Sequence, residues 1–315
     1  MTPAVSFLTP VKNVGAYLDE AVGSLQSLVF RDWEIVIADD HSDDDTLARA
    51  ARLAATDPRI RVVSSPGQGI VAGLNAAYAV SSGGHLKFLD GDDVVISRLA
   101  ERLPELLAEE ASYHDAVVVD EKLAPINVLR MTNRFQAQPY VSLFRGGVVS
   151  PPRWAWLFSR RIADVLFPMP VLPSIHEDFW IALVIKKTAP RIVHFDDPLY
   201  LYRQRAGQIY GGLYNFAPEI VRTRAEAMGL ILDAVESRSA FFGEGVSGFA
   251  EALASMKGYY RLMARPDASM KEIFGLKLPW CQRWKLWFVL KSPRMAALLS
   301  RFKSGRASRW LSRLK

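Results

Sequence analysis

Apolar runs of strand length alternate with segments of helical periodicity over residues 4–110, and this alternation restricts the fold more than any other feature of the sequence. Four such runs occur, at residues 4–9, 34–38, 60–64 and 85–89. The segments between them carry apolar residues at helical spacing. The first run is expected to end at Pro10, which lacks an N–H donor. Strands that alternate with helices predict an α/β fold with a mostly parallel sheet flanked by helices.

Two of these runs end in acidic residues. Asp39 and Asp40 follow the second run, and Asp90, Asp92 and Asp93 follow the fourth. In open α/β sheets, ligands bind beyond the carboxyl ends of the strands. We therefore expect these acids to converge at one edge of the sheet.

The segment Asp90-Gly91-Asp92-Asp93 concentrates carboxylates in one turn. Strand spacing places Asp90 and Asp92 on one side. Carboxylates held so close repel one another unless a cation lies between them, and a hard divalent cation that also accepts phosphate oxygens suits them. The alternative is a solvated turn that caps a helix. The motif alone leaves both interpretations open.

Two further acidic segments allow a functional and a structural interpretation. Asp39 and Asp40 could accept hydrogen bonds from a nucleotide base or ribose, or they could belong to a solvated capping loop. Glu177 and Asp178 begin an amphipathic helix, where the macrodipole favours acids. A carboxylate at that position could equally act as general base on an acceptor hydroxyl.

Gly67, Gly69 and Gly73 follow the third apolar run and begin a helix, as in a dinucleotide-binding fingerprint. The spacing between the second and third glycines is one residue too long for that motif. We therefore expect this loop to bend near a nucleotide without forming a dinucleotide site.

The last hundred residues differ from the rest of the chain. From about residue 216 the apolar spacing is helical, so we predict an α/β domain over residues 1–215 and a helical C-terminal region over residues 216–315. Eleven Lys and Arg but no acidic residue follow Glu272. The end of the chain is therefore strongly basic.

Trp280, Trp284 and Trp287 recur at helical spacing among these cations. Such a pattern is typical of a helix that lies in a membrane interface. The same aromatic residues could instead pack on the preceding domain and leave the cations in solvent. No nucleic-acid recognition motif accompanies the charge. We predict that residues 276–315 meet an anionic membrane surface.

Other features indicate a reducing compartment. The single cysteine, Cys281, cannot form an internal disulfide, and the N-terminal segment lacks the charged and apolar regions of a signal peptide. No apolar run approaches the roughly 18 residues that span a bilayer. The sequence predicts a cytoplasmic protein that is peripheral at the inner face of the cell membrane.

Taken in chain order, these segments resemble the family 2 glycosyltransferases, which have the GT-A fold, over about residues 4–205. Five segments carry the resemblance: the opening strand and loop 5–13 with Pro10, the strand and acidic loop 32–46, the helix led by Gly69 with Asn75, the DxD motif of Asp90–Asp93, and the ED pair of Glu177 and Asp178. Leu74 stands where the family often has Arg, and His41 stands where Gly is usual.

The resemblance implies an inverting transfer of a sugar from a nucleotide donor, expected to be UDP-linked, to a hydroxyl acceptor. That acceptor would be a glycan or lipid-linked glycan of cell-surface polysaccharide synthesis. By the same resemblance, Asp39 or Asp40 would bind the base, Asp90 would contact ribose and metal, and Asp92 would ligate Mn2+ or Mg2+.

The resemblance also assigns the remaining site residues. Asp178, next to Glu177, would be the catalytic base that deprotonates the acceptor hydroxyl. Pro10, Asn75 and Arg203 would belong to the substrate-binding site, with Arg203 near the diphosphate.

Two other functions fit parts of the sequence. A nucleotidyltransferase is expected to carry a phosphate loop rich in Gly and Arg after its first strand, where this chain has residues 9–13. A catalytically inactive nucleotide-sugar-binding module would keep the same acids. Acceptor specificity is expected in residues 120–175, where Arg153, Trp154 and Trp156 could line a sugar-stacking surface or belong to the core.

Overall fold

The computed structural model describes residues 2–131, 133–145, 150–173, 177–205, 218–265 and 267–292. The chain forms two compact units. The α/β unit comprises Met1–Gln136, Ser150–Val171 and Glu177–Arg203, and the helical unit comprises Ala137–Val149, Leu172–His176 and Gln204–Lys315. The predicted division at residue 215 lies outside the described residues and stays a prediction.

Nine strands form one sheet in the described part of the α/β unit. The strands are β1 (Val5–Val11), β2 (Trp33–Asp39), β3 (Ile60–Ser64), β4 (His85–Phe88), β5 (Val94–Val95), β6 (Ala111–Val119), β7 (Pro125–Leu129), β8 (Trp156–Ser159) and β9 (Val193–Arg203). The helices up to the end of this unit are α1 (Gly15–Gln26), α2 (Thr46–Thr56), α3 (Ile70–Val80), α4 (Arg98–Leu107), α5 (Arg134–Ala137), α6 (Arg160–Leu166) and α7 (Glu177–Thr188). Short 3-10 turns lie at Tyr140–Arg145 and Arg153–Ala155.

The strand order is β3-β2-β1-β4-β8-β6-β9-β5, and β7 pairs with β6. β1 to β4 pair in parallel, as expected for strands separated by helices. β8 enters antiparallel between β4 and β6. All seven residues of β2 are buried, which explains its continuous apolar run. The predicted α/β class with a mostly parallel sheet is confirmed.

The expected end of the first strand at Pro10 is wrong, because β1 continues to Val11. Pairing of β1 with β4 ends at Leu8 and Phe88, while pairing with β2 continues to Val11 and Asp39. The backbone polar groups of Leu8 face β4, and those of Pro10, two residues later, face the same side, where β4 has already ended. No ladder hydrogen bond is therefore lost at the proline.

The helical unit is built from five helices in its described part. They are α8 (Pro218–Ser237), α9 (Ser239–Gly243), α10 (Phe249–Met263), α11 (Met270–Gly275) and α12 (Trp280–Lys291). Leu286 of α12 is fully buried in a cluster with Tyr259, Leu262 and Ile273. No helix among the described residues is long and apolar enough to cross a membrane. The predicted basic tail is described only to Ser292.

Candidate active site

Two acidic turns lie at the same edge of the sheet: the β2 turn (Asp39 and Asp40) and the β4 turn (Asp90–Asp93). β1 pairs in parallel with β2 on one side and with β4 on the other, so both turns flank its carboxyl end. The β4 turn packs closely on β1, because a Cβ at Gly91 would lie 2.7 Å from Cγ1 of Val11. The structure brings the two predicted acidic segments to one place.

The two acids of the β2 turn have different partners. Asp40 accepts hydrogen bonds from the Ser65 hydroxyl at 2.6 Å and from the Gly69 N–H at 3.1 Å. Asp39 accepts one from the Ser42 N–H at 3.2 Å through Oδ2. Oδ1 of Asp39 is buried and has no hydrogen-bond partner among the described residues. Asp40 therefore holds the glycine loop, while Oδ1 of Asp39 is a buried acceptor whose hydrogen bond is not made within the described residues.

His41, the residue after the β2 turn, has a backbone conformation that favours glycine. Its φ of 59° lies in the left-handed region, which costs a residue with a Cβ. Nε2 of His41 lies 3.1 Å from the Ser65 carbonyl oxygen, next to the serine that binds Asp40. This histidine therefore adopts a strained backbone conformation, and its side chain makes one more contact with the loop that begins at Ser65.

Arg153 connects the β4 turn to the acids at the start of α7. Its Nη2 donates to Oδ1 of Asp90 at 2.7 Å, and its Nη1 donates to Oε1 of Glu177. The main-chain N–H of Arg153 donates to Oδ1 of Asp178 at 2.6 Å. The structure thus places Asp90, Glu177 and Asp178 around one arginine. From the sequence, Arg153 is expected only on the acceptor surface or in the core.

Burial dominates the protonation of these acids. It raises the pKa of Asp178 to about 7, assisted by the charge of Glu177 and opposed by that of Arg153. Burial also raises the pKa of Asp90, against the attraction of Arg153. It raises the pKa of Asp93 well above its ordinary value, with Asp90 and Asp92 adding repulsion. A carboxyl that titrates near neutral pH suits a general base.

Arg203 holds the β4 turn from the other side. Its main-chain N–H donates to Oδ1 of Asp93 at 2.7 Å, and its Nε donates to the carbonyl oxygen of Asp92 at 2.6 Å. The guanidinium also donates to Glu20 and to the Glu121 carbonyl oxygen. Its side chain is only 2% exposed. These partners give Arg203 a structural task at the turn, and the expected contact with a diphosphate stays a prediction.

Asn75 and Pro10 contact protein groups in the structure. The Asn75 amide donates to the Met169 carbonyl oxygen at 2.9 Å and accepts from the Met169 N–H at 2.8 Å. Pro10 packs against α3, where a Cβ at Gly73 would lie 3.1 Å from its own Cβ. Substrate contacts by Asn75 and Pro10 stay predictions.

Trp154 and Trp156 belong to the core. They are 3% and 0% exposed. Trp154 stacks on Tyr200 with ring centroids 5.1 Å apart, and the Tyr200 hydroxyl accepts a hydrogen bond from the Asp90 N–H at 3.0 Å. Of the two interpretations of these tryptophans, the structure favours packing beneath the β4 turn.

The fit of a divalent cation depends on the acids of the β4 turn. No group of three or more His, Cys, Asp or Glu suited to a metal ion is found within the described ranges. A cation that binds together with a nucleotide needs only one or two carboxylates, because phosphate oxygens and waters complete its shell. Asp92 is partly exposed at the turn, and Arg153 holds Asp90 through Oδ1 alone. This donor set fits Mn2+ or Mg2+ bound with a diphosphate.

The chain is similar in sequence to curated glycosyltransferases. Over 229 residues, the chain is 26% identical to an uncharacterized glycosyltransferase, EpsJ, of Bacillus subtilis, covering 66% of this chain and 63% of EpsJ. It is 34% identical over 97 residues to the GalNAc(5)-diNAcBac-PP-undecaprenol beta-1,3-glucosyltransferase of Campylobacter jejuni, covering 30% and 31% of the two chains. The chain thus spans less than two thirds of the length of these curated relatives.

A solved structure has the same fold. TarS residues 1–349 of S. aureus in complex with UDP-GlcNAc superposes with a TM-score of 0.57 and 17% identity, covering 96% of this chain and 91% of that one. This likeness confirms the expected GT-A fold. The sequence model of glycosyl transferase family 2 matches residues 6–166, which include the β2 and β4 turns and Arg153. The chain belongs to glycosyl transferase family 2.

Proposed function

We propose that this chain is an inverting, metal-dependent transferase that moves a sugar from a UDP-linked donor to a hydroxyl group of a glycan or lipid-linked glycan. The placement of Asp178 carries the proposal. Its carboxyl is held by the Arg153 N–H, in the same cluster as Asp90 of the β4 turn. A base and a turn suited to a diphosphate therefore lie within one cluster.

Asp39 supports binding of the nucleotide. Its buried Oδ1 has no hydrogen-bond partner among the described residues, and a buried carboxylate oxygen without a partner is costly. The imide N–H of uracil is a donor that would satisfy it. TarS, which has the same fold, was crystallised with UDP-GlcNAc. We therefore choose a uridine diphosphate sugar as the donor.

The transfer step needs one proton acceptor. Asp178 takes the proton of the acceptor hydroxyl while that oxygen forms a bond to the anomeric carbon of the donor. The bond between this carbon and the diphosphate oxygen breaks, and the nucleoside diphosphate leaves with the electron pair. Attack from the side opposite the leaving group inverts the configuration. A pKa of about 7 leaves a large fraction of Asp178 ionised at neutral pH.

Asp92, together with Asp90, would hold a divalent cation. When bound, the cation neutralises the charge that develops on the departing diphosphate. Arg203 fixes the main chain at Asp92 and the carboxyl of Asp93, so the turn is rigid before any ligand arrives. Rigid placement of the acids lowers the cost of ordering the site.

Two measurements test the proposed donor. Thermal shift of the purified chain with UDP should show stabilisation that requires Mn2+. Release of UDP from UDP-GlcNAc, with water or added glycans as acceptor, should then be metal-dependent, and NMR of the product should show the inverted anomer. A chain that binds UDP and Mn2+ but never turns over would be an inactive binding module. Release of inorganic diphosphate from UTP and a sugar phosphate would instead identify a nucleotidyltransferase.

The cations and aromatic residues of α12 support a second part of the proposal, contact with an anionic membrane. Trp280 is 61% exposed, and Lys285 and Lys291 are exposed on the same helix. No acidic residue follows Glu272 in the sequence. An exposed indole ring and exposed cations on one helix suit an interface of anionic lipids. A membrane-bound protein at the inner face of the cell membrane would meet a lipid-linked acceptor there.

Vesicle flotation tests this contact. Lys285→Glu together with Lys291→Glu should reduce binding to vesicles that contain phosphatidylglycerol, and binding of the wild type should fall with added salt. The matched control, Arg31→Glu with Lys122→Glu, changes the net charge equally at exposed positions outside α12. Equal flotation of the two double variants would exclude α12 as the contact.

A further inference from the structure

Arg153 is placed where it touches both acidic motifs of the site. Its side chain is 16% exposed and its guanidinium reaches Asp90 and Glu177, while its main-chain N–H reaches Asp178. Glu177 is itself 4% exposed. Two buried carboxylates that face each other without a cation would repel strongly. The guanidinium therefore compensates the charge that both motifs bring to this point.

The shape of the arginine matters as well as its charge. Nε and Nη2 both donate to Oδ1 of Asp90, and Nη1 extends to Glu177. A planar guanidinium offers donors in fixed directions, so it sets the separation of its two partners. A lysine has a single nitrogen and cannot span both carboxylates in the same way.

The main chain at Arg153 is fixed by the core beneath it. Lys87, which is fully buried, donates from Nζ to the Trp154 carbonyl oxygen at 2.7 Å. The Trp154 ring stacks on Tyr200, whose hydroxyl accepts from the Asp90 N–H. The peptide that carries Arg153 and the turn that carries Asp90 are therefore tied to the same aromatic pair.

We propose that Arg153 is a positioning residue of the transfer reaction. It holds the β4 turn in a fixed position relative to the proposed base, Asp178. Its side chain sets the separation of Asp90 and Glu177, and its main-chain N–H directs the Asp178 carboxyl. This proposal rests on the function proposed above for Asp90 and Asp178. It assigns no contact between Arg153 and the substrate.

Two substitutions separate the charge of Arg153 from its shape. Arg153→Gln removes the charge. Arg153→Lys keeps the charge but cannot contact Asp90 and Glu177 at the same time in the way the guanidinium does. Arg160→Gln is the matched control, because Arg160 is a partly buried arginine of the same unit that donates to the Gly83 carbonyl oxygen and the Ser81 hydroxyl, away from the acids. Thermal melts show first whether each variant folds.

A titration that needs no turnover gives the first readout. In protein labelled with carbon-13 at the aspartate carboxyls, the signal lost in Asp178→Asn identifies Asp178. Its midpoint should move to higher pH by about one unit in Arg153→Gln, because a neighbouring positive charge favours the ionised carboxylate. Arg153→Lys should move it less, and Arg160→Gln should leave it in place. A midpoint unchanged in a folded Arg153→Gln protein overturns the proposal, even for a chain that transfers no sugar.

Kinetics give the second readout. Arg153→Lys should lower kcat by about 100-fold with little change in the KM for the donor, since misplacing a reacting group by about 1 Å has that effect. Partial unfolding would instead lower activity in proportion to the folded fraction and leave the pH profile unchanged. Wild-type kcat in Arg153→Lys would also overturn the proposal. Absence of transfer by the wild type with every donor refutes the proposed function separately, because the titration stands without it.

Discussion

The β2 turn and the β4 turn are similar in sequence, since each is a buried strand followed by acids, yet the protein holds them differently. The acids of the β2 turn accept hydrogen bonds mainly from neutral donors: the Ser65 hydroxyl and the N–H groups of Ser42 and Gly69. In the β4 turn, Asp90 is paired with the guanidinium of Arg153, and Asp93 accepts a hydrogen bond from the main-chain N–H of Arg203. Asp40 lies 3.9 Å from Nζ of the exposed Lys12, whereas Asp90 is bound directly by the mostly buried guanidinium of Arg153. The stronger charge compensation therefore lies at the β4 turn.

Loss of the base should have the largest effect on the charged side of this comparison. Asp178→Asn should lower kcat by about 1,000-fold, the range expected when a general base is removed, with little change in donor affinity. Glycosyl transfer from UDP-GlcNAc measures kcat, and calorimetry with UDP and Mn2+ measures affinity. Unchanged kcat would show that Asp178 is not the base.

Asp92→Asn tests whether the β4 turn handles charge through a cation. The substitution should lower kcat by about 100-fold, because several kcal/mol of charge stabilisation on the leaving group is lost. Binding of Mn2+ in the presence of UDP, followed by electron paramagnetic resonance, should weaken in parallel. Normal Mn2+ binding in this variant would show that Asp92 of the β4 turn does not bind the metal.

The pH dependence tests the raised pKa of Asp178. Only the ionised carboxylate can take a proton, so kcat should rise with pH and level off above about 7. At pH 6 the rate should be about tenfold below the plateau, since one unit below the pKa leaves about a tenth of the carboxyl ionised. An enzyme whose rate is flat between pH 5.5 and about 8 would contradict the assignment.

Asp39→Asn tests recognition by the β2 turn. The KM for the donor should rise about fivefold, the loss of one hydrogen bond of about 1 kcal/mol, while kcat stays near the wild-type value. Folding stability should change little, because Oδ1 of Asp39 has no hydrogen-bond partner among the described residues. Equal affinity of the wild type and Asp39→Asn for UDP would show that Asp39 does not recognise the base.

Asp40→Asn should show the smallest effect on catalysis and a measurable effect on stability. An asparagine has one acceptor oxygen in place of the two carboxylate oxygens that bind Ser65 and Gly69, so we expect a loss of about 1 to 3 kcal/mol in the free energy of unfolding. Urea denaturation of Asp39→Asn and Asp40→Asn side by side measures the contrast. A larger loss in Asp39→Asn would reverse the roles of the two acids.

Local patterns were sufficient for the fold and for the candidate acids. Strand and helix periodicity predicted the parallel half of the sheet, and the position of acids after strands predicted both turns. Asp40, and not Asp39, is bound by the Ser65 hydroxyl and the Gly69 N–H, and these two donors are aligned only in the folded chain. No local pattern distinguishes Asp39 from Asp40.

The arginines could not be assigned from local patterns because their partners are distant in sequence. Arg153 meets Asp90 across 63 positions, and Arg203 meets Glu20 across 183. One signal was available: Arg153 is a single charge among Pro151, Pro152 and Trp154, and a charge in such surroundings needs a partner. The sequence does not name that partner.

The position of β8 between β4 and β6 has a consequence for synthesis. A ribosome makes β1 to β4 well before β8, so the outer edge of β4 has no strand beside it until Trp156–Ser159 has been made. An open strand edge is a template for pairing with other chains. Fragments that end before residue 156 are therefore expected to aggregate. A soluble fragment that contains the β2 and β4 turns should also include β8, which covers the edge of β4.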